Sequence, residues 1–214
     1  MRTLLALFSA VLFTAAFGLA GDPAKPPRIV AIPIDGANAG CCVSAAKEAL
    51  GGLPGVVSVK MEPANGGQLA LVTLEEKAEL RLSDVTRVLE DAAKDMAAMM
   101  GPGLKYVVSR DRLAIGEGSL LIVPAGADAK PLAGVAGLAG ADVEAADDAV
   151  GLRLHLAPKS VVTLTPVVTA MERAGKKVSD LVLAPNWSPE TAAKTGPKAP
   201  QAPPKGGSGG GKGG

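Results

Sequence analysis

The chain has 214 residues, with 22 basic against 21 acidic side chains and a net charge of +1, so no overall field draws it to nucleic acid or to an anionic membrane. Aromatic residues make up 2% of it, too few to build the stacking platforms used by single-strand binders. Apolar residues, at 48%, suffice for one ordinary domain or two small ones packed by Ala, Val, Leu and Gly.

Residues 1–20 read as a signal peptide. Arg2 supplies the positive start, Leu4 to Phe17 the apolar run, and Gly18-Leu19-Ala20 the small residues of a cleavage site. Cleavage after Ala20 predicts an exported protein, periplasmic or extracellular. No later stretch approaches the roughly 18 apolar residues of a membrane span, so no membrane association is expected once the leader is cut. Residues 21–27 form a Pro-rich linker.

The next segment, 28–110, resolves into regular elements. RIVAIPI (28–34) is β-branched and alternating, a strand. CCVSAAKEALGGL (41–53) places Val43, Ala46, Ala49, Leu50 and Leu53 on one helical face. GVVSVKM (55–61) is a strand, ANGG (64–67) a hairpin turn, and QLALVTLE a strand alternating through Leu69 and Leu71 and, after a slip, Leu74. A helix follows from Leu82 to Met100, with Ser83 as N-cap and Val85, Val88, Leu89, Ala92 and Met96 as its apolar face. Gly101-Pro102-Gly103 ends it, and LKYVVS (104–109) closes the unit. The order is βαββαβ, the ferredoxin-like arrangement.

Residues 111–185 repeat this order more faintly, as a second, divergent ferredoxin-like domain. A strand in SLLIVPAGA precedes a weak helix in AKPLAGVAGLAG and a hairpin from ADVEAAD and GLRLHLA. A helix with Thr165 as N-cap and Pro166 at its first position leads to a closing strand in KVSDLVLA. Gly36-Ala37-Asn38-Ala39 recurs as Gly126-Ala127-Asp128-Ala129, Leu53-Pro54-Gly55-Val56 as Leu138-Ala139-Gly140-Ala141, and LSDVTRVLEDA (82–92) as LTPVVTAMERA (164–174). The expected fold class is therefore α+β, with two tandem ferredoxin-like copies. Residues 186–214, rich in Pro, Ala, Lys and Gly, have little to bury and are expected to be a disordered tail. Trp187 is expected to pack the start of that tail onto the second domain.

The chain has only two cysteines, and Cys41 and Cys42 are adjacent at the start of the first predicted helix. Two thiolates on a loop entering a helix can hold a soft ion such as Cu(I), and helix N-termini favour anionic groups, thiolates among them. Neighbouring side chains usually diverge, however, and a disulfide between neighbours is strained because their Cα atoms are only about 3.8 Å apart.

The run from Gly36 to Val59 resembles the heavy-metal-associated (HMA) domains of small copper chaperones, mercury-binding periplasmic proteins and metal-pump N-terminal modules. Gly36 takes that family's glycine position. Cys42-Val43 precedes Ala49-Leu50 at the family's spacing, and Pro54-Gly55-Val56 leads to Val59. The chain departs from the family at the ligands. With Cys42 as the second cysteine of Cys-x-x-Cys, the first falls on Ala39 and the methionine position on Ala37, while the other thiol is Cys41. The resemblance implies a soft-metal carrier or buffer with Cys41 and Cys42 as metal ligands and Cu(I) as the favoured ion. Two chains each lending a thiol would make a metal-bridged homodimer. Two alternatives stand beside this reading: a domain that kept its shape without its chemistry and serves as a structural or protein-interaction module, and a thiol-exchange role.

No enzyme constellation accompanies the pair, since the acidic residues lack a His or Ser partner at a recognisable spacing. Met96, Met99 and Met100 end the second helix; thioethers bind Cu(I), but helical spacing predicts core or gap-filling residues. His155, the sole histidine, alternates with leucines and is expected on the outer strand face, isolated.

Overall fold

The computed structural model describes residues 27–146 and 149–187. The signal peptide, all but the last residue of the linker, the tail from residue 188 onward and Asp147-Asp148 of the second hairpin lie outside the described residues.

The first half contains β1 (Arg28–Asp35), α1 (Gly40–Gly51), β2 (Val56–Ala64), β3 (Gly67–Leu74), β4 (Leu80–Arg81), α2 (Leu82–Met100) and β5 (Val107–Val108). Its sheet runs β2-β3-β1-β5 and is antiparallel throughout. β1, α1, β2, β3, α2 and β5 therefore form the ferredoxin-like βαββαβ unit. The second half contains β6 (Leu120–Pro124), a 3-10 turn (Lys130–Gly134), β7 (Leu138–Ala146), β8 (Ala149–Leu156), α3 (Leu164–Arg173) and β9 (Asp180–Leu183). Its sheet runs β9-β6-β8-β7, the same order, and β4 of the first half adds to the outer edge of β9. The protein is thus an α+β chain of two tandem ferredoxin-like copies.

The repeat holds at the helix starts but not at the expected Leu53–Leu138 echo, because Leu138 opens β7 before a bulge as Val56 opens β2. α1 starts at Gly40 and the 3-10 turn at Lys130, each after an alanine N-cap. α2 and α3 start at Leu82 and Leu164, and Val85 and Leu89 are buried like Val167 and Met171. The weak helix expected over 129–140 is only the 3-10 turn, because Pro131 lacks an amide donor and Gly137 adopts φ +90°.

Alternation on β1 aims Val30, Ile32 and Ile34 at the helices, where Ala46 and Leu50 of α1 and Val85 and Leu89 of α2 meet them. On β3 the residues paired with that face are Ala70 and Val72, not the expected Leu69 and Leu71. The core continues through Leu113 and Ile115 of the connecting segment into Leu121, Leu152, Leu154, Val167 and Met171.

One set of hydrogen bonds ties the connecting segment into the second half, and two others, besides the β4–β9 pairing, join the halves. Leu113 accepts the amide of Leu164 at 2.9 Å, and Ile115 donates to Val162 at 2.8 Å. Asp180 of β9 accepts the amide of Ser83 at 3.0 Å and its hydroxyl at 2.7 Å. Ser83 is therefore not the N-cap: the cap is Arg81, two residues earlier, where β4 pairs with β9, and the second half supplies the missing acceptor. α3 likewise starts before the expected N-cap, and Thr165 donates instead to Asp111 at 2.6 Å. Finally, the Asn186 side chain accepts from Ala31 at 2.6 Å and donates to Ala114 at 2.6 Å. Asn186 and Trp187 both direct their amides at Ile29, so the first residues of the expected tail are built onto β1 of the first half. Trp187 also borders a groove with Glu117, Leu156 and Val161 of the second.

Candidate functional site

The loop between β1 and α1 is shaped by Gly36, whose φ is +89°. A Cβ there would stand 1.9 Å from the carbonyl oxygen of Lys105. Only glycine lets this loop and the segment before β5 run backbone to backbone. Ala37 then enters the core, fully buried, and Ala39 caps α1 without a side-chain hydrogen bond. No acidic residue occupies the first turn, so the amide groups there keep their partial positive charge.

Cys41 and Cys42 are free thiols in different surroundings: Cys41 is exposed and Cys42 is 2% exposed. Adjacent residues on a helix are about 100° apart, and Cys42 shares its stripe with buried Ala46 and Leu50. The counterpart of Cys42 in the second half, at the third position of the 3-10 turn, is Leu132, also buried. The Cys42 position is thus a core position in both repeats.

α2 brings its C-terminal end to this point. Met100 Sδ lies 3.4 Å from Cys41 Sγ. Met96, one turn earlier, is buried in the core, as expected of a gap-filler. Met99 and Met100 depart from that expectation, being 75% and 57% exposed. Both fall on the last turn of α2.

Tyr106, the only tyrosine, completes the site and was not singled out by the sequence. It is 2% exposed, and its hydroxyl is buried with no hydrogen-bond partner. Burial above all, and then the neighbouring Cys42 thiol, push its ionisation well above the ordinary phenol range. Cys42 is close enough to influence the hydroxyl, but the pair lacks hydrogen-bond geometry. A buried orphan hydroxyl is uncommon and calls for a partner. Its being the chain's sole tyrosine, close after the glycine stop of α2, was the only signal available.

Among the described residues, no three His, Cys, Asp or Glu side chains are placed to hold one metal ion. Among the described residues no helix is long and apolar enough to cross a membrane.

His155 is on the exposed side of β8 but is not isolated. Its Nδ1 meets Glu117 and its Nε2 meets Asp142, each at 2.9 Å. Glu117 also accepts the amide of Leu156 at 2.6 Å. These carboxylates, Glu117 first, raise the His155 pKa above 6.5. A raised folded value means that the charged clamp stabilises the fold fully below about pH 6.5 and is lost as pH rises through the folded value. Imidazole NMR should place the midpoint above 6.5, with Glu117→Gln moving it back; a midpoint unaffected by that change would remove the clamp.

Fold and site together define a tandem ferredoxin-like protein in which one repeat carries two free cysteines at the start of its first helix and the other carries none. Two solved structures are similar to it. The water-soluble region of the P-type ATPase CopA from Bacillus subtilis shares 17% identity over 74% of this chain and 92% of that one, with a TM-score of 0.29. The N-terminal soluble domains of the same organism's CopA share 15% over 73% and 95%, with a TM-score of 0.27. At these values the assignment of fold rests on the strand orders themselves. No family model matches the chain, and no curated protein does.

Proposed function

We propose that this is an exported protein that binds or carries a soft metal ion, with Cu(I) favoured, at the start of α1. The observation that carries this reading is the exposed Cys41 thiol on an uncapped helix N-terminus, with a second sulfur beside it. Thiolate and thioether donors select Cu(I) over harder ions, and binding releases the thiol proton. The resemblance around Gly36, Cys42 and Pro54-Gly55-Val56 supports the same reading.

The test is an anaerobic Cu(I) titration of residues 21–214 against a chromophoric chelator, with Cys41→Ala/Cys42→Ala as control. Competition that disappears in the double variant supports metal binding. Equal competition by both proteins, or by neither, sinks it.

A second reading has one specific observation behind it. Cys42 occupies the place that Leu132 holds in the cysteine-free second repeat, as it would in a domain that kept its shape and became a protein-interaction module. That reading expects partner capture indifferent to Cys41→Ser/Cys42→Ser.

A further inference from the structure

We infer that the ion at this site is held between the Cys41 thiolate and the Met100 thioether, with Cys42 a packing residue beneath them. The inference rests on the soft-metal reading and names its donor set, a Cys–Met pair bridging two helices in place of the vicinal thiols.

Three observations converge on it. The first is the 3.4 Å approach of Met100 Sδ to Cys41 Sγ, from a residue 59 positions away in sequence. The second is exposure: both sulfurs can be reached from solvent, whereas Cys42 at 2% cannot. The third is the stripe of Cys42, Ala46 and Leu50, which turns the Cys42 sulfur toward the sheet. Recruiting it would require unwinding the first turn of α1 or drawing a core side chain outward.

The geometry needs little adjustment. With metal–sulfur bonds of about 2.3 Å, two sulfurs on one ion stand about 4.6 Å apart in line and about 4.0 Å apart at a trigonal angle. The sulfurs must therefore part from 3.4 Å by about 0.6 Å for a trigonal angle and about 1.2 Å in line. Met100 is on the last turn of α2, before Gly101 at φ +107°, and an exposed, unbranched thioether has the rotational freedom to do this. On binding, the Cys41 S–H bond is broken, the proton goes to solvent, the sulfur lone pair forms the metal–thiolate bond, and Met100 donates a lone pair without losing any atom. No electron changes hands.

Titration with Cu(I) against a chelator, repeated with Ag(I) as a soft ion that does not change oxidation state, distinguishes the donor sets. The variants are Cys41→Ala, Cys42→Ala and Met100→Leu, each checked by circular dichroism. Cys41→Ala should abolish competition. Met100→Leu, an exposed and nearly isosteric change, should weaken binding at least about tenfold, on the scale set by removing a metal-site partner. Cys42→Ala should stay within about threefold of the parent, as expected for a residue outside the donor set; if it unfolds, Cys42→Val takes its place. Full affinity in Met100→Leu, or a loss in the Cys42 variant equal to that in Cys41→Ala, overturns the Cys–Met pair and returns the site to the vicinal thiols, with metal binding intact. Absence of binding by the parent itself overturns the soft-metal reading and this inference with it.

Discussion

Replacing Gly36 with alanine should lower the free energy of unfolding by at least about 2 kcal/mol. Two costs combine. The residue sits at φ +89°, where a side chain is strained. The new Cβ would also fall 1.9 Å from the Lys105 carbonyl oxygen, and the obstruction is backbone, which cannot rotate aside. Either the β1–α1 loop or the segment before β5 must move, and these are the two strands of chain that hold Cys41, Cys42 and Tyr106 together. Urea denaturation measures the stability loss, and the metal titration should weaken in parallel in whatever fraction remains folded. Gly40→Ala is the matched control. Gly40 is at the start of α1 with open space around it and should be neutral or stabilising by about 0.5 kcal/mol. Equal midpoints for the two variants would contradict the close approach.

Asn186→Ala should cost about 2 kcal/mol. The side chain accepts the Ala31 amide at 2.6 Å and donates to Ala31 at 3.3 Å and Ala114 at 2.6 Å. Alanine leaves these partly buried backbone groups without their partner, which costs more than the bonds themselves contribute. Asn186→Asp discriminates. It retains the acceptor for Ala31 but faces two carbonyl oxygens with a carboxylate, so it should be no better than alanine. If Asn186→Asp were as stable as the parent, the Ala114 bond would contribute nothing to joining the halves.

Much of the architecture was legible because its signals are local. Hydrophobic alternation on β1, the glycine turn after Ala64 and the heptad-like face of α2 each report their own element, and the echoes at Gly126 and Leu164 report the second copy. Small residues blurred what remained. Over 129–140 alanines and glycines offer no periodicity strong enough to separate a helix from a 3-10 turn. On β3 the core face is Ala70 and Val72, and the bulkier Leu69 and Leu71 misled by size. The site was legible only in part. Cys41-Cys42 announces itself, but which thiol is exposed depends on the phase of α1, and its stripe can be read as starting at Cys42 or Val43. Met100 was visible as part of a cluster; its meeting with Cys41 is a product of topology, since an α1–α2 pair on one sheet face sets the end of one helix against the start of the other. His155 gave no sign of its carboxylates, because Glu117 comes from the connecting turn and Asp142 from the neighbouring strand.

The two-residue strand β4 has a consequence for how copies of this protein meet. Without Leu80 and Arg81 paired to Leu183 and Val182, β9 would end the second sheet with unsatisfied amides and carbonyls, a template for any extended chain. The first repeat covers that border from within the same molecule. The outermost long strands left are β2 and β7. β2 carries Lys60, Glu62 and Pro63, and β7 carries Asp142 and Glu144; charge and proline are the features that discourage strand-to-strand growth. The second repeat thus gives this fold a guarded perimeter as well as a longer core.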